Sequence, residues 1–565
     1  MWRSPAPVRA GTPGPAAYIA AALNKARRSS LIIVVAASVA GCGSSPSTPA
    51  DGGADASTDG PPGLDGAAFV VPRETRLLVA GRAWLVGSGP NSCTNQPGPA
   101  DGRWCAFVRP AGAGYELWVF DAAYAAAGGD LRCDGTDPRC LRLSTSVLYS
   151  DFAGASAHAF QGDMLFYRAG DGANAADLLG GPVWAWRPGW PAGRELVSGA
   201  GTSCAGAVNG AAALCVRRVT AANGDVSAEL TSGPLTLADA PLPVAGTVLL
   251  RSAADPANAT DDLETGFSPD GTYVAWSSRG VLTVEEVGKP GTRAFVADDV
   301  ASWRISPDGT SWLWLRAFHD DGLEPAGTLE VAQFPTGSAA QTLAAGVADF
   351  DLVGARGVLF RAAVADQVGE LRLMPDRAAP AATTKLDDGV RTVVARSDDA
   401  KTIVYTNATT AVGDDLYASS PARGTPCALT DLPTALRMTT LMAGDRVAIW
   451  AQRDVISQLT SGAATSLATC ETTSFGRNLA RALPLGDERV LYIDDAPSGA
   501  AAGTLRAALV TASGVGAAAP LQRDVDFVFA PLPPRAVAFT VSAGTAADGL
   551  YVCAWPLGQS DGGSD

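Results

Sequence analysis

Phe267-Ser268-Pro269-Asp270-Gly271-Thr272 and Ile305-Ser306-Pro307-Asp308-Gly309-Thr310 share one five-residue core, Ser-Pro-Asp-Gly-Thr. Each part has a physical task. Proline fixes φ at the second position of a tight turn, aspartate bonds back to the backbone, and glycine takes the left-handed conformation. Each turn leads into an apolar stretch, Tyr273 to Trp276 (YVAW) and Ser311 to Trp314 (SWLW), read as an alternating strand. The unit is a strand, a tight turn and a second strand. Asp270 and Asp308 are read as turn-formers.

Working outward, weaker copies of the unit appear. Residues 101–108 (DGRWCAFV) and 115–120 (YELWVF) read as two successive strands of one repeat. Further centres fall at Met164 to Tyr167, Ala213 to Val216, Val358 to Phe360, Thr402 to Tyr405, Val447 to Trp450, Val490 to Tyr492 and Ala536 to Phe539. From Trp312 onward they recur about every 45 residues, the spacing of a four-stranded propeller blade. The Ser-Pro-Asp-Gly-Thr unit resembles the repeat of TolB-like propellers, a WD-type family. The resemblance implies an all-β fold, a large β-propeller of four-stranded blades with about eight to ten repeats. It is specific at two turns, and it predicts a single ring. An early strand near Ala68 to Val71 is expected to complete the last blade and hide its edge. TolB carries an α/β domain before its propeller. That domain has no room between a tether at 42–66 and the first repeat, so a TolB role is not implied.

Residues 1–41 hold Arg3, Arg9, Lys25, Arg27 and Arg28 and no acid. An apolar run from Leu31 to Ala40 comes next, shorter than the about 20 residues that span a bilayer. Val39-Ala40-Gly41-Cys42 resembles a lipobox, an aliphatic residue and two small ones before cysteine. These features predict a lipoprotein signal peptide over 1–41, with Cys42 lipidated and the chain exported and held to a membrane. Gly43 and Ser44 stand after Cys42, where enteric inner-membrane lipoproteins carry aspartate, which favours the outer membrane. Residues 42–66, poor in large apolar side chains, are read as a disordered tether, 67–558 as the propeller, and 559–565 as a disordered acidic tail.

The formal charge of −15 becomes −20 once the five signal-peptide cations are removed. That excludes nucleic acid as a partner and argues against docking on anionic lipid by charge. Export permits disulfides among the ten cysteines. Three pairs lie close in sequence, Cys93 with Cys105, Cys133 with Cys140, and Cys204 with Cys215. Cys427, Cys470 and Cys553 are left over, so at least one is expected to be free.

Six aspartate doublets stand out. Asp261-Asp262, Asp298-Asp299 and Asp387-Asp388 precede the first strand of a blade. Asp320-Asp321, Asp414-Asp415 and Asp494-Asp495 fall between the second and third strands. In a propeller those two loop classes emerge at one end, so the doublets are expected to make that face acidic. It would bind Ca²⁺ or a basic partner; the competing reading is a set of solvated loops. Trp184-x-Trp186 and Trp312-x-Trp314 each place two indoles on one strand face, for stacking on a sugar or for the core. His158 and His319 are the only histidines, no nucleophile elbow occurs, and no phosphate-cradling glycine motif is present. The expectation is a non-catalytic binding or scaffold propeller for envelope proteins. The alternative is a propeller that binds or cleaves envelope polysaccharide.

Overall fold

A computed structural model describes most of residues 75–554. Outside the described residues lie 1–74, 555–565 and stretches between strands such as 86–103, 148–157, 170–181, 207–211, 235–246, 253–263, 320–324, 431–437, 454–459, 496–501 and 529–535. The chain divides into Met1–Ala67 and Ala68–Asp565. Only the second unit contains described residues. The expected signal peptide, Cys42, the tether and the tail all lie outside them.

The described residues form antiparallel strands throughout, with one short helix, Ala122–Ala126, and one 3₁₀ turn, Pro380–Ala382. Five sheets have four strands each. In chain order four of them are blades one to four, covering 84–147, 158–197, 203–252 and 264–297; the fifth is blade eight, 438–475. A ten-stranded sheet carries blades five to seven. In it Ser338–Val353 and Thr384–Arg396 each end one blade and begin the next. A seven-stranded sheet carries blades nine and ten and shares Gly514–Val528 in the same way.

Blade ten is finished by Thr75–Ala80, which pairs antiparallel with Gly549–Ala554 as the outermost strand. The sequence placed this closing strand a few residues earlier, at Ala68 to Val71, which lies outside the described residues. A buried cluster joins each blade to the next. The circuit closes where Ala538, Leu550 and Val552 of blade ten pack with Phe107, Trp118 and Phe120 of blade one. Ten four-stranded blades thus succeed one another in a single closed order among the described residues.

Each of the ten apolar centres read from the sequence lies on the second strand of a different blade. Those strands do not alternate as expected. Tyr273–Ser278 buries four consecutive residues, and so does the start of Ser311–His319. A second strand has sheet neighbours on both edges and another blade on each face, so both sides are apolar, as in any sheet covered twice.

The turn chemistry is as the motif implied. Ser268 Oγ donates to Asp270 Oδ1 at 2.5 Å and accepts the Tyr273 N–H at 2.9 Å, while the Thr272 N–H donates to the same carboxylate at 3.0 Å. Blade five repeats the set at 2.5, 3.0 and 3.1 Å around Asp308. Blade seven carries a third copy that the sequence reading missed. There Ser397, Asp399, Lys401 and Thr402 make the same three bonds at 2.8, 3.0 and 3.0 Å. Ala400 replaces glycine at φ 52°, beside 70° and 67° for Gly271 and Gly309.

Neighbouring blades are fastened by different means at this end. Phe334 of blade five sits 5.4 Å from Tyr273 of blade four, edge to face. Arg377 of blade six is buried and reaches Asp308 of blade five at 3.4 Å, and it donates to the Ala355 carbonyl at 2.6 Å. Cys427, on the last strand of blade seven, is disulfide-bonded to Cys470 in a turn of blade eight. Two of the three leftover cysteines are therefore paired. Cys133–Cys140 and Cys204–Cys215 form as expected, the second between the first two strands of blade three. Cys105 is disulfide-bonded as well; its expected partner, Cys93, lies outside the described residues.

Candidate functional site

Two regions collect the polar groups that could meet a ligand: the end of the ring that carries the doublets, and the first strands of the blades. The shared end of the doublet loops is fixed by backbone bonds. Val300 N–H donates to the Gly280 carbonyl at 2.8 Å, and Ala317 N–H to the Asp299 carbonyl at 3.1 Å. These tie the entry to blade five to the second-to-third-strand turn of blade four and to the last residues of the second strand of blade five. In blade nine the Asp495 N–H donates to the Arg477 carbonyl at 2.8 Å, again joining the two loop classes.

The doublets at this end are treated differently from blade to blade. Asp298 and Asp299 are exposed, and Asp299 takes φ 61°. Asp387 accepts the hydroxyl of the largely buried Tyr405, and Asp388 takes the Lys385 ammonium at 2.8 Å. Burial, together with this bond, pushes the Tyr405 hydroxyl far above its ordinary range. Asp494 is buried and grips Arg506 Nε at 2.6 Å, while Asp495 takes Arg506 Nη2 at 2.8 Å. Desolvation raises the Asp494 carboxyl in spite of Arg506. Asp415 lies on Gly413–Ser419 and is half-buried; the side chain of Asp414 is not described. Asp261, Asp262, Asp320 and Asp321 lie outside the described residues. Among the described residues no three acidic, histidine or cysteine side chains come together as metal ligands. The described part of this face is a set of separate, locally held carboxylates.

The first strands supply ion pairs that the sequence did not announce. Glu264 of blade four meets Arg304 of blade five at 2.8 Å. Asp351 of blade six meets Arg396 of blade seven at 2.8 Å. In sheets set radially, first strands stand close enough to pair across a seam only if they line the axis. Glu264 keeps 41% of its side chain exposed, yet desolvation pushes its carboxyl up even with Arg304 beside it. The one available signal was a charged residue just ahead of a Ser-x-Asp turn, at Arg304 and Arg396.

The tryptophan pairs separate. Trp186, Trp312 and Trp314 are core residues. Trp184 is only partly buried and borders an open groove of about 290 Å³ between blades one and two. His319 is exposed at the end of its strand, and the side chain of His158 is not described.

No protein-family model and no curated protein matches the chain. Solved structures do resemble it. One, a crystal structure of a eukaryotic initiation factor, is 10% identical over 74% of this chain and 96% of its own, with a TM-score of 0.42. TolB from Acinetobacter baumannii is 13% identical over 55% of this chain and 80% of its own, with a TM-score of 0.23. The β-propeller domain of the Trilobed protease from Pyrococcus furiosus is 12% identical over 50% and 90%, with a TM-score of 0.26. The strand order, and not these modest overlaps, makes the chain a β-propeller; TolB-like and other propeller proteins are among the structures it is similar to.

Proposed function

We propose that this chain is an exported lipoprotein, held to the outer membrane by lipid on Cys42, whose propeller is a non-catalytic binding platform for protein partners of the envelope. The observation that carries the platform reading is the doublet-bearing end. Asp299 and Asp495 sit where backbone bonds join neighbouring connections, and Tyr405, Lys385 and Arg506 hold Asp387, Asp388, Asp494 and Asp495. Such groups are fixed in place before any partner arrives, which lowers the cost of binding. Asp298, Asp299 and Asp388 stay exposed for a basic partner or for Ca²⁺. The anchor rests on the run from Leu31 to Ala40 and on Val39-Ala40-Gly41-Cys42.

Two measurements test this. Labelled palmitate is expected in the wild-type protein and not in Cys42→Ala, which should also leave the membrane fraction. Cross-linked capture from membranes, with and without calcium, should recover a partner that Asp298→Asn/Asp299→Asn/Asp388→Asn weakens by about tenfold. A label that persists in Cys42→Ala removes the anchor, and capture indifferent to the three substitutions removes the acidic platform.

A further inference from the structure

We propose that Glu285 makes the seam between blades three and four a pH-sensitive joint, held more firmly in acid than at neutral pH. This goes beyond the partner-binding reading and uses none of its residues. Glu285 lies on Val281–Glu286, the third strand of blade four, opposite Val274 of the second strand. Cross-strand partners share a face of the sheet. Val274 packs with Leu214, Val216 and Leu230 of blade three, and Val287 packs against the same cluster. Glu285 therefore points at blade three. The turn that follows is pressed onto that blade as well. Gly288 N–H donates to Ser232 Oγ at 3.4 Å, and a Cβ on Gly288 would come within 3.2 Å of Pro234.

A carboxylate is out of place in such a seam. Only 4% of Glu285 is exposed, and its Oε1 has no hydrogen-bond partner among the described residues. An ionised carboxyl loses its hydration on burial and needs partners to replace it, while the protonated form needs far less. Burial accordingly raises the Glu285 carboxyl above its ordinary 4.5, and the Gly291 N–H and the Arg293 charge draw it back only in part. The charged neighbours on its own blade are exposed or engaged elsewhere. Arg293, the register partner, is exposed, and Lys289 is taken by Glu286 at 2.5 Å. Asp270 is tied into its turn by Ser268 and Thr272, and Glu264 pairs with Arg304 on the side of blade five. On blade three, Arg218 is the charged position on the facing side, opposite Ala228 and at the far end of its strand from the Ser232 contact. Arg251, opposite Ser227, takes a position on the other side. Residues 235–246, outside the described ones, include one titratable side chain, Asp239, and no base. A carboxyl raised by folding stabilises the fold below its unfolded pKa, and that contribution is lost as pH climbs through the folded value. Acid therefore tightens the seam, and neutral pH loosens it.

The test is hydrogen exchange of the full-length protein in detergent, read as protection factors in blades three and four at about pH 7.5 and about pH 4.5. Glu285→Gln keeps the shape of the protonated acid and cannot ionise. It is expected to raise protection on both sides of the seam about tenfold at the higher pH and less than about twofold at the lower, with blades five to seven unchanged. An equal gain at both pH values, or no gain at the higher one, overturns the proposal. Arg293→Ala, at an exposed position, keeps the test open if Glu285→Gln does not fold. Removing that charge should lower protection at the seam about threefold at the higher pH and leave it unchanged at the lower. The same effect at both pH values, or none, would sink the idea. None of these results depends on the lipid or on a protein partner, so the envelope-platform reading stands or falls separately.

Discussion

Blades five to seven and blades one to three solve the same packing problem with different materials. In blades five to seven the backbone itself crosses the seam, along Ser338–Val353 and Thr384–Arg396. Polar clamps finish the joint, Arg377 on Asp308 and Arg396 on Asp351. In blades one to three each sheet stands alone, and the seams are filled by large aromatics. Trp104 meets Trp186 edge to face at 5.2 Å, and Trp186 donates its indole N–H to the Trp190 carbonyl at 2.9 Å. Disulfides Cys133–Cys140 and Cys204–Cys215 brace the sheets from within. A continuous strand ties its two blades by hydrogen bonds that each backbone must make anyway. Where the chain leaves the sheet between blades, side-chain volume replaces them, and at the seam between blades seven and eight the Cys427–Cys470 cross-link does.

The comparison can be broken first at Trp186. Trp186→Ala should cost about 3–5 kcal/mol in denaturant unfolding, because a fully buried indole leaves a cavity and orphans the Trp190 carbonyl. Hydrogen exchange should rise in blades one and two and stay low in blades five to seven; a uniform rise would erase the distinction between the regions. Next, Cys204→Ser/Cys215→Ser should lose about 2–3 kcal/mol, the loop-closure contribution of a short cross-link. Mild reductant should loosen blade three and the Cys427–Cys470 seam while leaving the seam between blades five and six protected.

The smallest expected effect lies in the polar region. Burial pushes the Asp308 carboxyl up, but Ser306, Thr310 and Arg377 together hold it down at about 2, below its ordinary 3.8. A carboxyl depressed by folding stabilises the protein at pH values above the unfolded pKa. That contribution fades as pH falls from about 4 towards 2. Allowing for solvent screening it is about 1 kcal/mol. Asp308→Asn should flatten acid unfolding in that window, and an unchanged acid profile would deny the clamp any role.

What the sequence made legible depends on burial. The second strands, apolar on both faces, supplied ten apolar centres and with them the repeat. The outer strands did not. Ser338–Val353 begins with five exposed residues, mostly small, and Gly514–Val528 is rich in alanine. Nothing in such segments marks a strand that passes from one blade to the next. The third turn was hidden because Asp398 and Ala400 stand where the other two have proline and glycine, although the hydrogen bonds are the same. Glu264–Arg304, Asp351–Arg396 and Cys427–Cys470 join residues some 40 positions apart, so only the ring brings them together. The groove at Trp184 was half legible. The paired indoles could be read from the sequence, but which of the four is only partly buried depends on the neighbouring blade.

The strand Thr75–Ala80 has a consequence in time. Its partner, Gly549–Ala554, lies about 470 residues further along the chain. The ring therefore cannot close until nearly the whole chain is present. Until then Thr75–Ala80 carries a row of unpaired backbone groups, an open template for any other strand. Closure joins strands near the two ends of the described chain, and loop entropy makes such contacts late. The first described strand is thus the last to find its place.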